Sequence, residues 1–171
     1  MKEDRRRDHR QILGAPDAFE VFYRREVNGV LAVTMGLTRR KWEAEEVTQE
    51  AFLRAYRDWH RVGLMDHPGA WVRRVALNLA VGRWRRARTE AAALLRLTAE
   101  DHPSPADPES ARFWDEVRAL PKRQAQVVAL TYVDDLDADG VAAVLGIASS
   151  TVRVHLARAQ ATLAQRLGAE E

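Results

Sequence analysis

Cysteine is absent from the 171-residue chain, which excludes disulfides, thiolate metal sites and a cysteine nucleophile and suits a reducing compartment. Long apolar runs are absent too, and none approaches the ~20 residues a membrane-spanning helix needs. The opening MKEDRRRDHR lacks the apolar centre of a signal peptide. The expectation is a soluble, cytoplasmic protein with no membrane insertion. Motifs of catalysis are missing as well. His60 and His67 fall in a predicted loop, but no glycine-rich phosphate cradle, HExxH helix or nucleophile pattern accompanies them, so no enzyme is expected. His102 stands near Asp101 and Asp107, yet an acidic, proline-containing tether fixes no ligand geometry, so neither a metal nor another cofactor is expected.

What is present is 46% hydrophobic residues, enough for one or two small domains, each with its own core. The net charge is only +2, but the charges are segregated. Arginines gather in 5–10, 73–88 and 153–166, and acids in 43–50, 100–116 and 134–139. Such blocks suit a polyanion on one surface and a different partner on another.

The periodicity predicts an all-α protein. Residues 1–16 read as a mobile basic arm ending at Pro16. From Asp17, Phe19, Tyr23, Val27, Val30 and Leu31 recur at helical spacing to Met35, where Gly36 is expected to end the helix. Trp42 to Trp59 reads as a second helix whose apolar arc takes in Ala44, Val47, Ala51, Phe52, Ala55, Tyr56 and Trp59. Its other half holds Glu46, Gln49, Glu50, Arg54 and Arg57 with Leu53 among them. Two readings of Leu53 stand: a solitary exposed leucine, or the anchor of a protein-binding face with a charged rim. Residues 60–69, HRVGLMDHPG, read as a loop.

A third helix is predicted from Ala70 to about Arg88, burying Trp71, Val72, Val75, Ala76 and Leu79. Arg74, Asn78, Arg85 and Arg88 line another side, with Leu77, Val81 and Trp84 beside them. Cations interleaved with flat and apolar groups suit contact with phosphates and bases. Trp84 packed on a neighbouring helix is the plainer alternative. After Arg96, TAEDHPSPADPES has little to bury and reads as a flexible acidic linker over 96–110. It divides a helical domain of 17–95 from a second of 111–171. The second opens with Phe113, Trp114, Val117 and Leu120, followed after Pro121 by Ala125, Val128 and Tyr132 on one stripe, ended by Asp134 and Asp135.

The stretch from Asp137, DADGVAAVLGIASSTVRVHLARAQATL, has the spacing of a helix-turn-helix. Val141, Ala142 and Leu145 point inward, Gly146 suits a tight turn with positive φ, Ile147 plugs the corner, and Ser149 or Ser150 is expected to cap the next helix. Gly140 stands where a Glu would complete a capping box with Asp137, so the first helix begins weakly, by about 1 kcal/mol. In the second helix Val152, Leu156, Ala159 and Leu163 share one face. Ser150, Thr151, Val154 and Arg158 lie opposite, with Arg153 and His155 on the shoulders. Docked in a major groove, that side offers hydroxyls and cations to phosphates and Val154 to a thymine methyl. A plain amphipathic hairpin with a solvated basic face is the competing reading.

Taken together, three motifs in order resemble an extracytoplasmic-function (group IV) sigma factor of bacterial RNA polymerase over residues 17–168. AEEVTQEAFLRAY, Ala44 to Tyr56, is similar to the family's core-polymerase-binding helix. AWVRRVALNLAVGRWRR, Ala70 to Arg86, resembles its promoter-melting helix. LPKRQAQVVALTY through the helix-turn-helix resembles the region that reads the upstream promoter element.

The resemblance implies a sigma factor that binds core RNA polymerase and recognises minus-10 and minus-35 elements. It implies contacts of Glu46, Gln49, Glu50, Leu53 and Arg54 with the beta-prime clamp helices of core polymerase, and the beta flap as a further partner surface. It implies minus-10 contacts at His60, Arg61, His67, Arg74, Asn78 and Arg85, including capture of a flipped base. Minus-35 contacts are implied at Ser149, Ser150, Thr151, Arg153, Val154, His155 and Arg158, and a separate anti-sigma protein is the family's usual inhibitor. Val154 and Gln160 occupy positions often polar and often Arg in relatives, so a weaker phosphate grip and a different minus-35 preference are expected; Glu46 replaces a more usual Asp. The chain ends soon after Leu167, so the long C-terminal regulatory domain of some subgroups is not expected. The rival class is a stand-alone helix-turn-helix regulator, which would bind duplex operator DNA without polymerase and with two-fold half-sites.

Overall fold

The computed structural model describes residues 16–93 and 108–168. Most of the expected basic arm, residues 96–107 of the expected linker, and His102 with its neighbouring acids lie outside the described residues. Eight helices are described: α1 (Pro16–Leu37), α2 (Lys41–Arg57), α3 (Trp59–Val62), α4 (Pro68–Ala93), α5 (Pro108–Ala119), α6 (Lys122–Tyr132), α7 (Ala138–Leu145) and α8 (Ser149–Gly168). No strand occurs among the described residues.

The helices α1, α2 and α4 pack on one another. Their shared core is aromatic at one end, where Phe22 and Trp59 lie 4.9 Å apart between ring centroids and Tyr23 meets Phe52 edge-on at 4.9 Å. At the other end the α1–α2 contact is polar: the Thr34 and Thr48 hydroxyls, both buried, lie 3.1 Å apart, and Thr34 also donates to the Leu31 carbonyl. α2 starts without a side-chain cap at Arg40. Glu43 reaches back to accept the Arg39 N–H at 3.2 Å, which ties the first turn of the helix to the residue before its N-cap.

In the second half α6 is the hub. Every residue from Ala125 to Leu130 is buried, and α8, α5 and α7 pack around it. Asp137 caps α7 by accepting the Gly140 N–H at 2.8 Å, so the glycine that weakens the helix still receives the cap. Asp135, at φ 51, turns the chain out of α6.

Five expectations differ from the structure. Gly36 does not end α1, which runs to Leu37; a Cβ at Gly36 would lie 2.8 Å from the Trp114 ring, so the glycine serves close approach of α5. Tyr56, expected inside, is 58% exposed, because it lies at the rim of the arc and, among the aromatic rings of the described residues, touches only Phe19. Leu77 and Val81, expected on an outward side of α4, are buried, because α4 has neighbours on two sides: α1 and α2 on one, α7 on another. The 60–69 loop is shorter than expected, since His60 and Arg61 belong to α3 and α4 begins at Pro68. Of the expected linker, residues 108–110 already form the first turn of α5. Trp84 is half-buried with the Arg39 guanidinium 4.9 Å from its ring centroid, a cation–π contact.

Candidate nucleic-acid interface

The helix-turn-helix is formed by α7 and α8, bent 105° at their junction. Gly146 makes the corner at φ 66, ψ 42, a left-handed conformation that disfavours residues with a Cβ. Val152, Ala159 and Leu163 are buried and hold α8 on the domain. Ser150, Thr151, Arg153, Val154 and Arg158 are exposed on the other side, with Val154 at 48%. His155 is half-buried. The expected cap from Ser149 or Ser150 is corrected. The first turn of α8 bonds back to the Ala148 carbonyl, and the Ser149 hydroxyl instead donates to Asp139 on α7 at 2.5 Å, tying the two helices. Two helices set near a right angle, with a polar and cationic exposed face on the second, are built to enter a groove of duplex DNA.

The face of α2 away from the core carries Glu46, Gln49, Leu53 and Arg54, all exposed, and half-buried Glu50. Leu53 is 42% exposed. Arg54 bonds Glu50 one turn earlier at 2.8 Å, and Glu46 accepts from Arg83 of α4 at 2.5 Å. That hydrogen bond, with the charge of Arg83 behind it, holds the Glu46 carboxyl below its ordinary value.

The residues expected at the minus-10 strand divide into two groups. His60, Arg61 and His67 are exposed beside the loop that also presents Leu64 and Met65. Arg74 is half-buried and Asn78 and Arg85 are exposed, and the first two touch the second half of the molecule. The Asn78 amide oxygen accepts from Gln126 Nε2 at 3.0 Å. The Arg74 guanidinium sits beside Gly146, 3.0 Å from where a Cβ would lie. Burial first, and then the charges of Arg123 and Arg85, push the Lys122 ammonium down from its ordinary value.

Sequence reasoning passed over Arg73. Its side chain bridges Glu26 of α1 (Nη1–Oε2, 2.5 Å) and Asp134 after α6 (Nε–Oδ2, 2.6 Å). Burial opposes the charge on both Arg73 and Glu26, but the hydrogen bonds outweigh it: Arg73 is raised and Glu26 lowered from their ordinary values. Arg118 was passed over as well. It donates to the Gly36 and Thr38 carbonyls at the end of α1, at 3.1 and 3.3 Å, and to Asp115. Burial pushes its pKa down against the pull of Asp115.

A helix-turn-helix domain joined to a second helical body with its own charged outward face has the architecture of a DNA-binding protein with a second surface for a different partner. Two family models match it: Sigma-70 region 2 over residues 22–90 and Sigma-70, region 4 over residues 110–163. A probable RNA polymerase sigma factor, RfaY, of Xanthomonas campestris pv. campestris is 34% identical over 82% of this chain, which spans only 38% of that relative's length. The RNA polymerase sigma-E factor of Streptomyces antibioticus is 27% identical over 87% of this chain and 84% of its own. Among solved structures, CnrH in complex with the cytosolic domain of CnrY has a TM-score of 0.66 at 25% identity, covering 95% of this chain and 96% of that one. The sigma factor RpoE in complex with the anti-sigma factor NepR, from Bartonella quintana, shares the fold at a TM-score of 0.67 and 18% identity, over 90% and 98% of the two chains. The chain belongs to the sigma-70 family as an extracytoplasmic-function sigma factor, a factor that directs promoter-specific transcription. No single helix among the described residues is long and apolar enough to cross a membrane.

Proposed function

We propose that this chain confers promoter specificity through three separate faces. Glu46, Gln49, Glu50, Leu53 and Arg54 grip the clamp helices of core polymerase. His60, Arg61, His67, Arg74, Asn78 and Arg85 hold the minus-10 strand. Ser149, Ser150, Thr151, Arg153, Val154, His155 and Arg158 read the minus-35 duplex, with the second domain, residues 111–171, resting on the beta flap. The observation that carries the reading is the exposure of Leu53 within a ring of charged side chains on a helix whose opposite side is wholly buried. An apolar anchor with a charged rim is the anatomy of a protein-docking surface.

The protein does its work by binding, without catalysis or a cofactor, and it acts in the cytoplasm where polymerase is found. The complex of the sigma factor RpoE with the anti-sigma factor NepR supports an anti-sigma partner here as well. Purified protein added to core polymerase on a library of genomic fragments is expected to yield transcripts with shared upstream elements. Transcripts indistinguishable from those of core polymerase alone would overturn the reading, and tight duplex binding at two-fold sites without polymerase would favour the stand-alone regulator instead.

A further inference from the structure

His60, Arg61 and His67 stand on a single helical turn and the loop that follows it. α3 is only four residues long, too short to hold its shape by its own hydrogen bonds. Its place is set by the two side chains it buries, Trp59 and Val62, while His60 and Arg61 between them are exposed. The loop is tied back to the same turn: Gly63, Leu64 and Met65 donate their N–H groups to the carbonyls of Trp59, Arg61 and Val62 at 2.9, 3.2 and 3.1 Å. At the far end the His67 carbonyl accepts from Trp71, in the first turn of α4, at 3.3 Å. A tilt of α3 is therefore passed on to the loop through its own backbone bonds.

Trp59 is more than filling for the core. Its ring packs on Phe22 and meets Phe19 edge-on, with centroids 4.9 and 5.2 Å away, and the residue is only 9% exposed. The indole N–H is buried without a hydrogen-bond partner among the described residues. An unpaired donor is costly to bury, and a phenyl ring would fill much of the same space without one. What the indole adds is breadth on the side of Gly63. A Cβ there would lie 3.0 Å from Cε2, the ring carbon bonded to the nitrogen, and 3.2 Å from Cζ2. Gly63 has an ordinary helical backbone, φ −65 and ψ −16, so the missing side chain answers close approach and not conformation. Ring and glycine meet flush, and in a close-packed interior a shift of one is felt by the other.

We propose that Trp59 is a positioning residue of the minus-10 site: through Gly63 its indole fixes the height and angle of α3 and its loop, and so where His60, Arg61 and His67 stand when they meet the single strand. Trp59 itself touches no DNA. This role rests on the minus-10 assignment above. It accounts for a ring broader than the core requires and for a glycine that its own backbone does not require. Leu64 and Met65, 52% and 36% exposed on the same loop, are carried on the same support.

The test uses holoenzyme assembled from core polymerase and the full chain, with forked DNA from a promoter that the parent holoenzyme transcribes. Its single-stranded minus-10 element carries 2-aminopurine, which brightens when it leaves the base stack. Trp59→Phe, which narrows the ring, and Gly63→Ala, which pushes on it, should each weaken capture of the fork at least about fivefold and dim the 2-aminopurine signal. Affinity for core polymerase should stay within about twofold of the parent. Trp59→benzothienylalanine, a ring of the same outline with sulfur in place of N–H, should capture the fork as the parent does. Val30→Ala takes volume from the buried core more than two turns further along α1 and should lower the melting temperature without lowering capture. Circular dichroism confirms that each variant is folded, and Gly63→Ala carries the test if Trp59→Phe is not. Parent-like capture by the folded variants, or an equal loss in Val30→Ala, overturns the positioning role. A loss with benzothienylalanine equal to that with phenylalanine overturns breadth as its cause. If His60, Arg61 and His67 can all be changed to Ala with capture intact, the minus-10 assignment itself falls; if that triple change lowers capture and Trp59→Phe does not, the positioning role alone is overturned.

Discussion

Replacing Leu53 tests the polymerase face most directly, because the side chain contributes little to the fold and, on the reading above, much to docking. Full burial of a leucine side chain is worth ~1.5–3 kcal/mol. With 42% of Leu53 exposed in the free protein, covering the remainder contributes about 1 kcal/mol, so Leu53→Ala should weaken binding to core polymerase about fivefold. Leu53→Asp adds the cost of desolvating a carboxylate beside Glu46 and Glu50, several kcal/mol in an interface centre, and should weaken binding about a hundredfold or more. Both variants should keep the parent's thermal stability to within about 1 kcal/mol, the scale of helix propensity at an exposed site. Titration of labelled protein with core polymerase reads the affinities and thermal melting reads the fold. If Leu53→Asp bound within about twofold of the parent, equivalent to less than ~0.5 kcal/mol, α2 would not be gripped through this face.

Gly146→Ala should destabilise the helix-turn-helix by about 1–2 kcal/mol, because φ 66 forces a Cβ into the left-handed region; urea denaturation should show a lower midpoint at unchanged slope, and an unshifted midpoint would contradict the strain. Arg158→Ala should remove one phosphate contact and flatten the log–log dependence of minus-35 duplex affinity on salt by about 0.9; an unchanged slope would place Arg158 off the DNA. Glu26 is held below its ordinary value of 4.5, so its bond to Arg73 contributes stability above that pH and loses it as the pH falls through the lower folded value. The difference in melting temperature between the parent and Glu26→Gln should therefore shrink as the pH is lowered below 4.5, and a constant difference would refute the linkage.

The sequence made the long helices legible because their apolar spacing repeats over several turns, and it made the helix-turn-helix corner legible because Gly146 answers a backbone demand few other residues meet. Leu53 is visible as an anomaly, an apolar residue on a charged arc, although the arc alone leaves two readings of it open. Other features could not be read from local pattern. Arg73 looks like one more cation in a basic helix until Asp134, 61 residues away, is brought beside it. Leu77 and Val81 sit off the main apolar stripe, and only a second neighbour for α4 buries them. Gly36 has the look of a helix terminator and is instead the place where Trp114 fits. Each of these misreadings has one cause: a helical wheel assigns a single inner side, whereas α1 and α4 are packed on two.

The paired hydroxyls of Thr34 and Thr48 carry a consequence for how the molecule tolerates change. Oily contacts between helices let one slide or rotate on the other as residues are exchanged, but a directional bond fixes both separation and rotation at one point. The outward side of α2, proposed above as the polymerase face, therefore keeps its aim even as apolar neighbours drift, and a Thr48→Val exchange, nearly equal in volume, would cost the protein its sighting line more than its solidity.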